Sequence, residues 1–276
     1  MPINIPNDLP AKAILNSEQV FVMTEDRSLH QDIRPLNLLF LNLMPKKINT
    51  EVQYLRKLSN TPLQVNITFL RVDDHISKNT PQSHMDNFYK DFDEIKDKIF
   101  DGMIVTGAAL DQTEFKDVTY WLNLKKILLW STKNVTSTLF SCWGVAAALK
   151  AFYDVDIIFR QDKLSGIYDI ELSSKIDTLT RGFDDVFKAP ISRYCDFPLD
   201  FISEKTDINV LASSREVGLY LGVSGNGKQV YVSGHPEYDV DTLDQEYHRD
   251  LAANKSPNIP INYYPNNDPN KAPLCS

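Results

Sequence analysis

Residues 138–149, TLFSCWGVAAAL, give the clearest indication of how this chain folds. Residues 135–140 are apolar or β-branched, which is typical of a strand that is buried on both faces. Residues 145–152 are rich in alanine and favour a helix. A single cysteine, Cys142, stands between the two segments, and Gly144 allows the helix to pack closely. The pattern predicts a sharp strand-to-helix corner that holds one thiol.

Such a corner is suited to nucleophilic catalysis. A side chain at this point projects above the edge of the sheet, and the amides that open the helix favour a thiolate. The alternative is that Cys142 is a small core residue, as most lone cysteines in apolar runs are. The corner alone leaves both interpretations open.

The segments before the corner alternate between strands and helices. Apolar strands are predicted at 36–44, 65–72, 101–107 and 135–140, and helices at 49–58, 85–95 and 121–130. This order predicts an α/β fold with a doubly wound parallel sheet. Because ligands of such sheets bind beyond the carboxyl ends of the strands, residues 44–47, 107–110 and 142–143 are expected to meet in one crevice.

The C-terminal half has a different texture. Short strand-like pieces are separated by turn signals such as Gly225-Asn226-Gly227, and they lie at 155–159, 166–172, 186–189, 208–212, 218–223 and 229–232. They predict antiparallel strand additions, followed by a helix over 239–253. The predicted organisation is an N-terminal lead-in (1–34), a catalytic domain (35–255) and an irregular tail (256–276).

Composition excludes several classes of function. The chain has 276 residues, is 42% hydrophobic and carries a formal net charge of −8, so a nucleic-acid partner is not expected. It has no apolar run of membrane-spanning length and no secretory signal pattern, so no membrane association is expected. The three cysteines and the absence of metal-ligand spacing indicate a cytoplasmic protein with no disulfide framework and no metal site.

A second motif supplies the other groups that a cysteine nucleophile needs. The segment SGHPEY, residues 233–238, follows a short strand and places His235 and Glu237 two positions apart. A thiol requires a base to take its proton and a third group to orient that base. The alternative for His235 alone is a satisfied surface histidine.

Several longer motifs carry a resemblance to a known family. They include MPKK (44–47), VTGA (105–108), TSTLF (136–140), KLSG (163–166), TRGFDD (180–185), SRY (192–194) and SGHPEYD (233–239). Together they resemble the homoserine O-acyltransferase family of the transsuccinylase type, from residue 1 to about residue 273. The resemblance implies a flavodoxin-like fold of the class I glutamine amidotransferase type.

The resemblance implies a ping-pong transfer of an acyl group from acyl-CoA to the hydroxyl of a small amino acid. Cys142 matches the nucleophile that carries the acyl thioester, His235 the general base, and Glu237 its orienting partner. Lys47 and the amide of Trp143 match the groups that stabilise the oxyanion.

Three further positions match residues that bind the amino-acid substrate, namely Lys163, Ser192 and Arg249. The alternatives are that Lys47 and Lys163 are solvated loop lysines. Arg249 has a similar alternative, a surface charge paired with Glu246.

Asp111 stands at a position that this family associates with the choice of acyl donor. Glycine at this position resembles the users of succinyl-CoA, and glutamate resembles the users of acetyl-CoA. A carboxylate there would repel the free carboxylate of a succinyl group, which favours acetyl-CoA as the co-substrate. The alternative is that Asp111 points to solvent and caps the next segment. No bound cofactor is expected.

The expected acceptor is L-serine, by a slight margin over L-homoserine, because the chain is shorter than is common in the family and Asp111 is atypical. The expected enzyme is therefore a serine or homoserine O-acetyltransferase of cysteine or methionine biosynthesis, and the resemblance implies a homodimer. The alternatives are a homoserine O-succinyltransferase, a glutamine amidase-like hydrolase, and a regulatory binding module that retains the pocket.

Overall fold

A computed structural model describes residues 3–18, 20, 22–28, 34–72, 79–173 and 177–274. The chain divides into two compact units. The first comprises residues 1–109 and 115–139, and the second comprises residues 110–114 and 140–276. The predicted boundaries after residues 34 and 255 stay a prediction, and Cys275 lies outside the described residues.

The first unit is a parallel sheet whose strands are connected mostly by helices. Its strands are β1 (Ile3–Ile5), β2 (Val22–Thr24), β3 (Leu36–Leu41), β4 (Val65–Leu70), β5 (Tyr89–Lys90), β6 (Phe100–Val105) and most of β7 (Val135–Ser141). Its helices are α1 (Ala11–Ser17), α2 (Glu25–Ser28), α3 (Lys47–Leu58), α4 (Gln82–Phe88), α5 (Phe92–Ile95) and α6 (Trp121–Asn134). The strand order is β2-β1-β4-β3-β6-β7 with β5 beside β4, and β1 to β6 pair in parallel.

Three details of this unit differ from the predictions. The helix predicted over 85–95 is interrupted by β5, because Asp91 forms a capping box with Glu94 and starts a new helix. The lead-in belongs to the sheet, since β1 pairs with both β2 and β4. These strands were not predicted because three residues are too few to show the alternation of apolar and polar side chains. Helix α3 begins at Lys47 instead of Asn49, so Lys47 lies on a helix.

The second unit is built around antiparallel strands. It contains α7 (Trp143–Tyr153), β8 (Ile158–Leu172), β9 (Val186–Asp196), α8 (Leu199–Lys205), β10 (Asn209–Ser214), β11 (Gly218–Val223), β12 (Gln229–Val232) and α9 (Thr242–Ala252). The strand order is β12-β11-β10-β8-β9, and each of these neighbours is antiparallel to the next. The predicted fold class, a mostly parallel α/β fold with antiparallel strands in the C-terminal half, is confirmed.

Strands β8 and β9 are longer than the predicted pieces. Their pairing brings two predicted site residues, Lys163 on β8 and Ser192 on β9, near each other. The pairing of Ser165 with Ser192 brings the segment after Lys163 against β9. The tail then crosses β8, where Gly166 bridges Ile261. Gly166 has φ 145°, and a Cβ there would stand 2.3 Å from the Ile261 carbonyl oxygen, so only glycine fits.

None of the helices in the described ranges combines the length and the apolar character that a membrane span requires.

Candidate active site

The corner at Cys142 has the strained backbone that a nucleophile elbow requires. Cys142 has φ 49° and ψ −116°, a conformation that costs a residue with a Cβ on the order of 1–3 kcal/mol. The Cys142 amide donates to the Val232 carbonyl at 2.9 Å, and every residue of α7 from Trp143 to Leu149 is buried. The end of β12 and the packing of α7 therefore hold the strain at this one residue.

The thiol itself is more enclosed than the sequence predicts. Cys142 is only 5% exposed, so it does not stand open above a sheet edge. Its surroundings are nevertheless polar, because its Sγ lies 3.8 Å from the Ser192 carbonyl oxygen and its side chain hydrogen-bonds with His235. These contacts set Cys142 apart from a cysteine of an apolar core.

A tight turn after β12 presents the imidazole. The His235 amide donates to the Pro190 carbonyl at 3.0 Å, and the Tyr238 amide donates back to the His235 carbonyl at 3.1 Å. Pro236 occupies the second position of this turn, where its fixed φ is favoured. The Nδ1 atom of His235 lies 2.8 Å from the Glu237 carboxylate, which leaves Nε2 to face the thiol.

The charges in this cluster favour the protonated form of His235. Burial opposes protonation of His235, but the charges of Cys142 and Glu237 outweigh it and raise the pKa of His235 well above its usual value. The guanidinium of Arg193, fully buried on β9, adds a second positive charge that interacts with Cys142. An imidazolium beside a thiolate is the state in which a cysteine attacks a thioester.

A second cluster contains two of the predicted substrate residues and one carboxylate that the sequence analysis did not assign to the site. Glu246 on α9 accepts hydrogen bonds from Ser192 and, at 3.0 Å, from Lys163. Burial raises the pKa of Glu246, but Lys163 and Ser192 outweigh burial and lower it overall. Lys163 also lies 3.4 Å from Asp250, so it is a partly buried, paired lysine and not a solvated one.

Arg249 lies at the exposed side of the same helix. Its guanidinium pairs with Asp250 at 2.9 Å, and its side chain is 55% exposed. Its close ion pair is thus with Asp250, the next residue along the chain, while the charge of Glu246, the partner in the alternative, also acts on it. The spacing of Glu246 from Arg249 and Asp250, one helical turn, is the signal that could have identified it as part of this cluster.

Asp111 faces the strand that carries Ser192. Its carboxylate accepts a hydrogen bond from the backbone amide of Tyr194, and burial raises the pKa of Asp111. This hydrogen bond directs the carboxylate towards β9, whereas the alternative placed it in solvent.

Lys47 belongs to the first unit and is buried, 2% exposed, which excludes a solvated lysine. Its Nζ donates to the carbonyl oxygens of Asn42 at 2.6 Å and Met44 at 3.4 Å. Burial lowers the pKa of Lys47 to about 8, against the opposing charge of Glu51. The predicted meeting of the three strand ends, and the oxyanion role of Lys47 and of the Trp143 amide, stay predictions.

Tyr238 was also missed by the sequence analysis. Its ring stacks on the His235 ring with centroids 4.1 Å apart and planes inclined by 17°.

Among the described residues, no group of three or more His, Cys, Asp or Glu side chains could hold a metal ion.

Comparison with known proteins identifies the family. The homoserine O-succinyltransferase family model matches residues 2–276. A protein of Succinatimonas hippei named homoserine O-acetyltransferase is 62% identical, over 100% of this chain and 91% of the relative. A protein of Tolumonas auensis named homoserine O-succinyltransferase is 56% identical, over 100% of this chain and 88% of the relative.

Solved structures share the fold at low identity. A glutamine amidotransferase of Thermotoga maritima has a TM-score of 0.57 and 13% identity, covering 81% of this chain and 87% of that one. The CTPS glutaminase domain of Trypanosoma brucei has a TM-score of 0.51 and 10% identity, covering 81% of this chain and 95% of that one. The predicted glutamine amidotransferase-like fold is confirmed, and at this identity the likeness concerns the fold alone.

Proposed function

The chain belongs to the homoserine O-succinyltransferase family, and on this basis we propose that it transfers an acyl group from acyl-CoA to the side-chain hydroxyl of homoserine. The observation that carries the proposal is the arrangement of Cys142, His235 and Glu237 in one unit, with the thiol at a strained corner and the imidazole against it. The product of this reaction belongs to methionine biosynthesis. A cytoplasmic location and a homodimeric state stay expectations for this protein.

In the proposed first half-reaction, His235 takes the proton of Cys142 and the thiolate attacks the thioester carbonyl of acyl-CoA. The tetrahedral adduct collapses as its bond to the CoA sulfur breaks. CoA leaves as a thiol with the proton from His235, and the acyl group remains on Cys142 as a thioester. The Trp143 amide, the first of α7, and the positive charge of Lys47 are proposed to stabilise the oxyanion.

In the second half-reaction, His235 takes the proton of the acceptor hydroxyl, whose own pKa is far too high for unaided attack. The acceptor oxygen attacks the acyl carbonyl, the bond to Sγ breaks, and Cys142 recovers its proton from His235. Glu237 holds the imidazole through Nδ1 in both steps. One set of residues thus serves both half-reactions.

Lys163, Ser192 and Arg249 are proposed to bind the acceptor, together with Glu246, which connects the first two. The relatives quoted above carry homoserine in their names, which supports homoserine over the slightly favoured L-serine. One methylene separates the two substrates and is worth about 1–3 kcal/mol in a pocket.

Two acyl donors remain as candidates. The name of the family and that of the Tolumonas relative support succinyl-CoA, so this alternative is better supported than the acetyl-CoA prediction. Acetyl-CoA is the second candidate because Asp111 sets a carboxylate beside Tyr194, and because the Succinatimonas relative carries the acetyl name.

The test is intact-protein mass spectrometry with each acyl-CoA alone, followed by kinetics with homoserine and L-serine. We expect an adduct of acyl mass on the wild-type protein and none on Cys142→Ala. Full activity of the Cys142→Ala variant would refute the mechanism. Ammonia release from glutamine without any acyl transfer would instead support the amidase-like hydrolase.

A further inference from the structure

Tyr238 is held against the general base by the turn that presents it. The turn hydrogen bond from the Tyr238 amide to the His235 carbonyl brings the first and fourth residues of the turn together. The two rings then stack at 4.1 Å, nearly parallel. One face of the imidazole is therefore covered by an aromatic ring, while Glu237 fixes the ring from its Nδ1 edge.

The other end of Tyr238 reaches the acceptor cluster. Its hydroxyl donates to Oε1 of Glu246 at 3.0 Å, and the second oxygen of that carboxylate accepts from Ser192 and Lys163. The two carboxylate oxygens thus have different tasks. One faces the proposed acceptor residues, and the other is tied through a single side chain to the general base.

We propose that Tyr238 is a positioning residue that couples His235 to Glu246, so that the orientation of the base and that of the acceptor site are set together. This inference rests on the proposed acyl transfer. The ring stack orients the imidazole, and the hydroxyl orients the Glu246 carboxylate. The two contacts can be removed separately, because phenylalanine keeps the ring and loses the hydroxyl.

The groups that face His235 come from three elements: the corner before α7, the turn, and α9. The proposed coupling concerns α9. Cys142 faces it from the corner before α7, and Glu237 from the turn. Glu246, on α9, also interacts with the charge of His235. Loss of the Tyr238 hydroxyl therefore leaves the Cys142 and Glu237 contacts intact and changes only the link to α9.

The test measures the two half-reactions separately in Tyr238→Phe and Tyr238→Leu. In Tyr238→Phe we expect acylation of Cys142 by acyl-CoA alone within twofold of wild type. The value of kcat/KM for homoserine should fall about tenfold, the effect of losing a hydrogen bond to a charged acceptor. In Tyr238→Leu we expect acylation to fall as well, about 10- to 100-fold, because the imidazole loses its stack.

Tyr264→Phe is the matched control. Its hydroxyl donates to the Asp244 carboxylate on the same helix α9 at 2.6 Å, and its ring is buried, with no part in the proposed chemistry. We expect both half-reactions of this variant within twofold of wild type. An equal loss in Tyr264→Phe, or an unchanged kcat/KM for homoserine in Tyr238→Phe, would overturn the coupling.

The phenylalanine variant decides the question even if Tyr238→Leu does not fold, because its readout is the split between half-reactions. If the wild-type protein forms no acyl adduct, the proposed function and the role of Tyr238 both fail. If the adduct forms in wild type and Tyr238→Phe behaves like wild type in both half-reactions, only the role of Tyr238 fails.

Discussion

Replacement of Glu237 by glutamine tests the proposed catalytic arrangement most directly. Glu237 is 5% exposed, and its Oε1 atom lies 2.8 Å from Nδ1 of His235. Glutamine has the same shape, so the packing of the turn should be kept. The change removes the negative charge that helps to raise the pKa of His235. It also allows the new amide to donate to Nδ1, which would turn the imidazole to the unreactive tautomer.

The size of the effect follows from two contributions. A buried hydrogen bond between charged groups is worth about 1.5–3 kcal/mol, which corresponds to a loss of roughly 10- to 150-fold in rate. The wrong tautomer adds to this, and in the well-studied serine protease triad the equivalent amide change lowers kcat about 10⁴-fold. We therefore expect acylation of Cys142 to slow by at least 100-fold, with thermal stability little changed.

Rapid-quench mass spectrometry with acyl-CoA alone measures this rate without any contribution from the acceptor. Asp244→Asn serves as the control, because Asp244 lies 3.4 Å from another histidine of the second unit, His248, accepts from the Tyr264 hydroxyl, and has no part in the proposed chemistry. Its acylation rate should stay within twofold of wild type. An acylation rate for Glu237→Gln within threefold of wild type would refute the assignment of His235 and Glu237 as base and orienting partner.

Two more predictions concern charge. Lys47 has a pKa lowered to about 8 by burial, and a lysine is positive below its pKa, so activity should decline as pH rises through about 8. Lys47→Arg, whose guanidinium stays charged, should flatten this limb of the pH profile, and an unchanged limb would exclude Lys47 as its origin. Asp111→Gly should raise kcat/KM for succinyl-CoA relative to acetyl-CoA by about tenfold or more, whereas Asp111→Asn keeps most of the volume and tests the charge alone. Equal ratios in wild type and Asp111→Gly would contradict a role of Asp111 in donor choice.

Much of the fold follows from the sequence because buried parallel strands are long apolar runs. The strands over 36–41, 65–70 and 100–105 lie within or beside the predicted segments. The errors occur where local signals are weak or compete. Tyr89 and Lys90 stand inside a helical pattern, but pairing with β4 makes them a strand. Such tertiary pairing is invisible to a local periodicity.

The candidate site divides in the same way. Cys142, His235 and Glu237 could be named from two short segments, since each role requires a residue type at a recognisable turn. Glu246 was missed because its spacing of one helical turn from Arg249 and Asp250 is a weak signal. A glutamate on an amphipathic helix looks like any other exposed charge until β8 and β9 bring Lys163 and Ser192 against it. Tyr238 was missed for another reason: it stands three residues from His235, but a sequence pattern does not show that two rings stack.

The charges of this cluster also suit the proposed acceptor. Lys163 and Arg249 are positive, Glu246 and Asp250 are negative, and each is paired with an opposite charge. Burial of an unpaired charge is costly, so a ligand with a single charge would bring one uncompensated charge into a cluster that is already balanced. An amino acid carries one ammonium and one carboxylate. It can therefore contact groups of both signs without changing the net charge of the cluster. A simple acid would add a negative charge, and a neutral alcohol would offer no charged group to either sign.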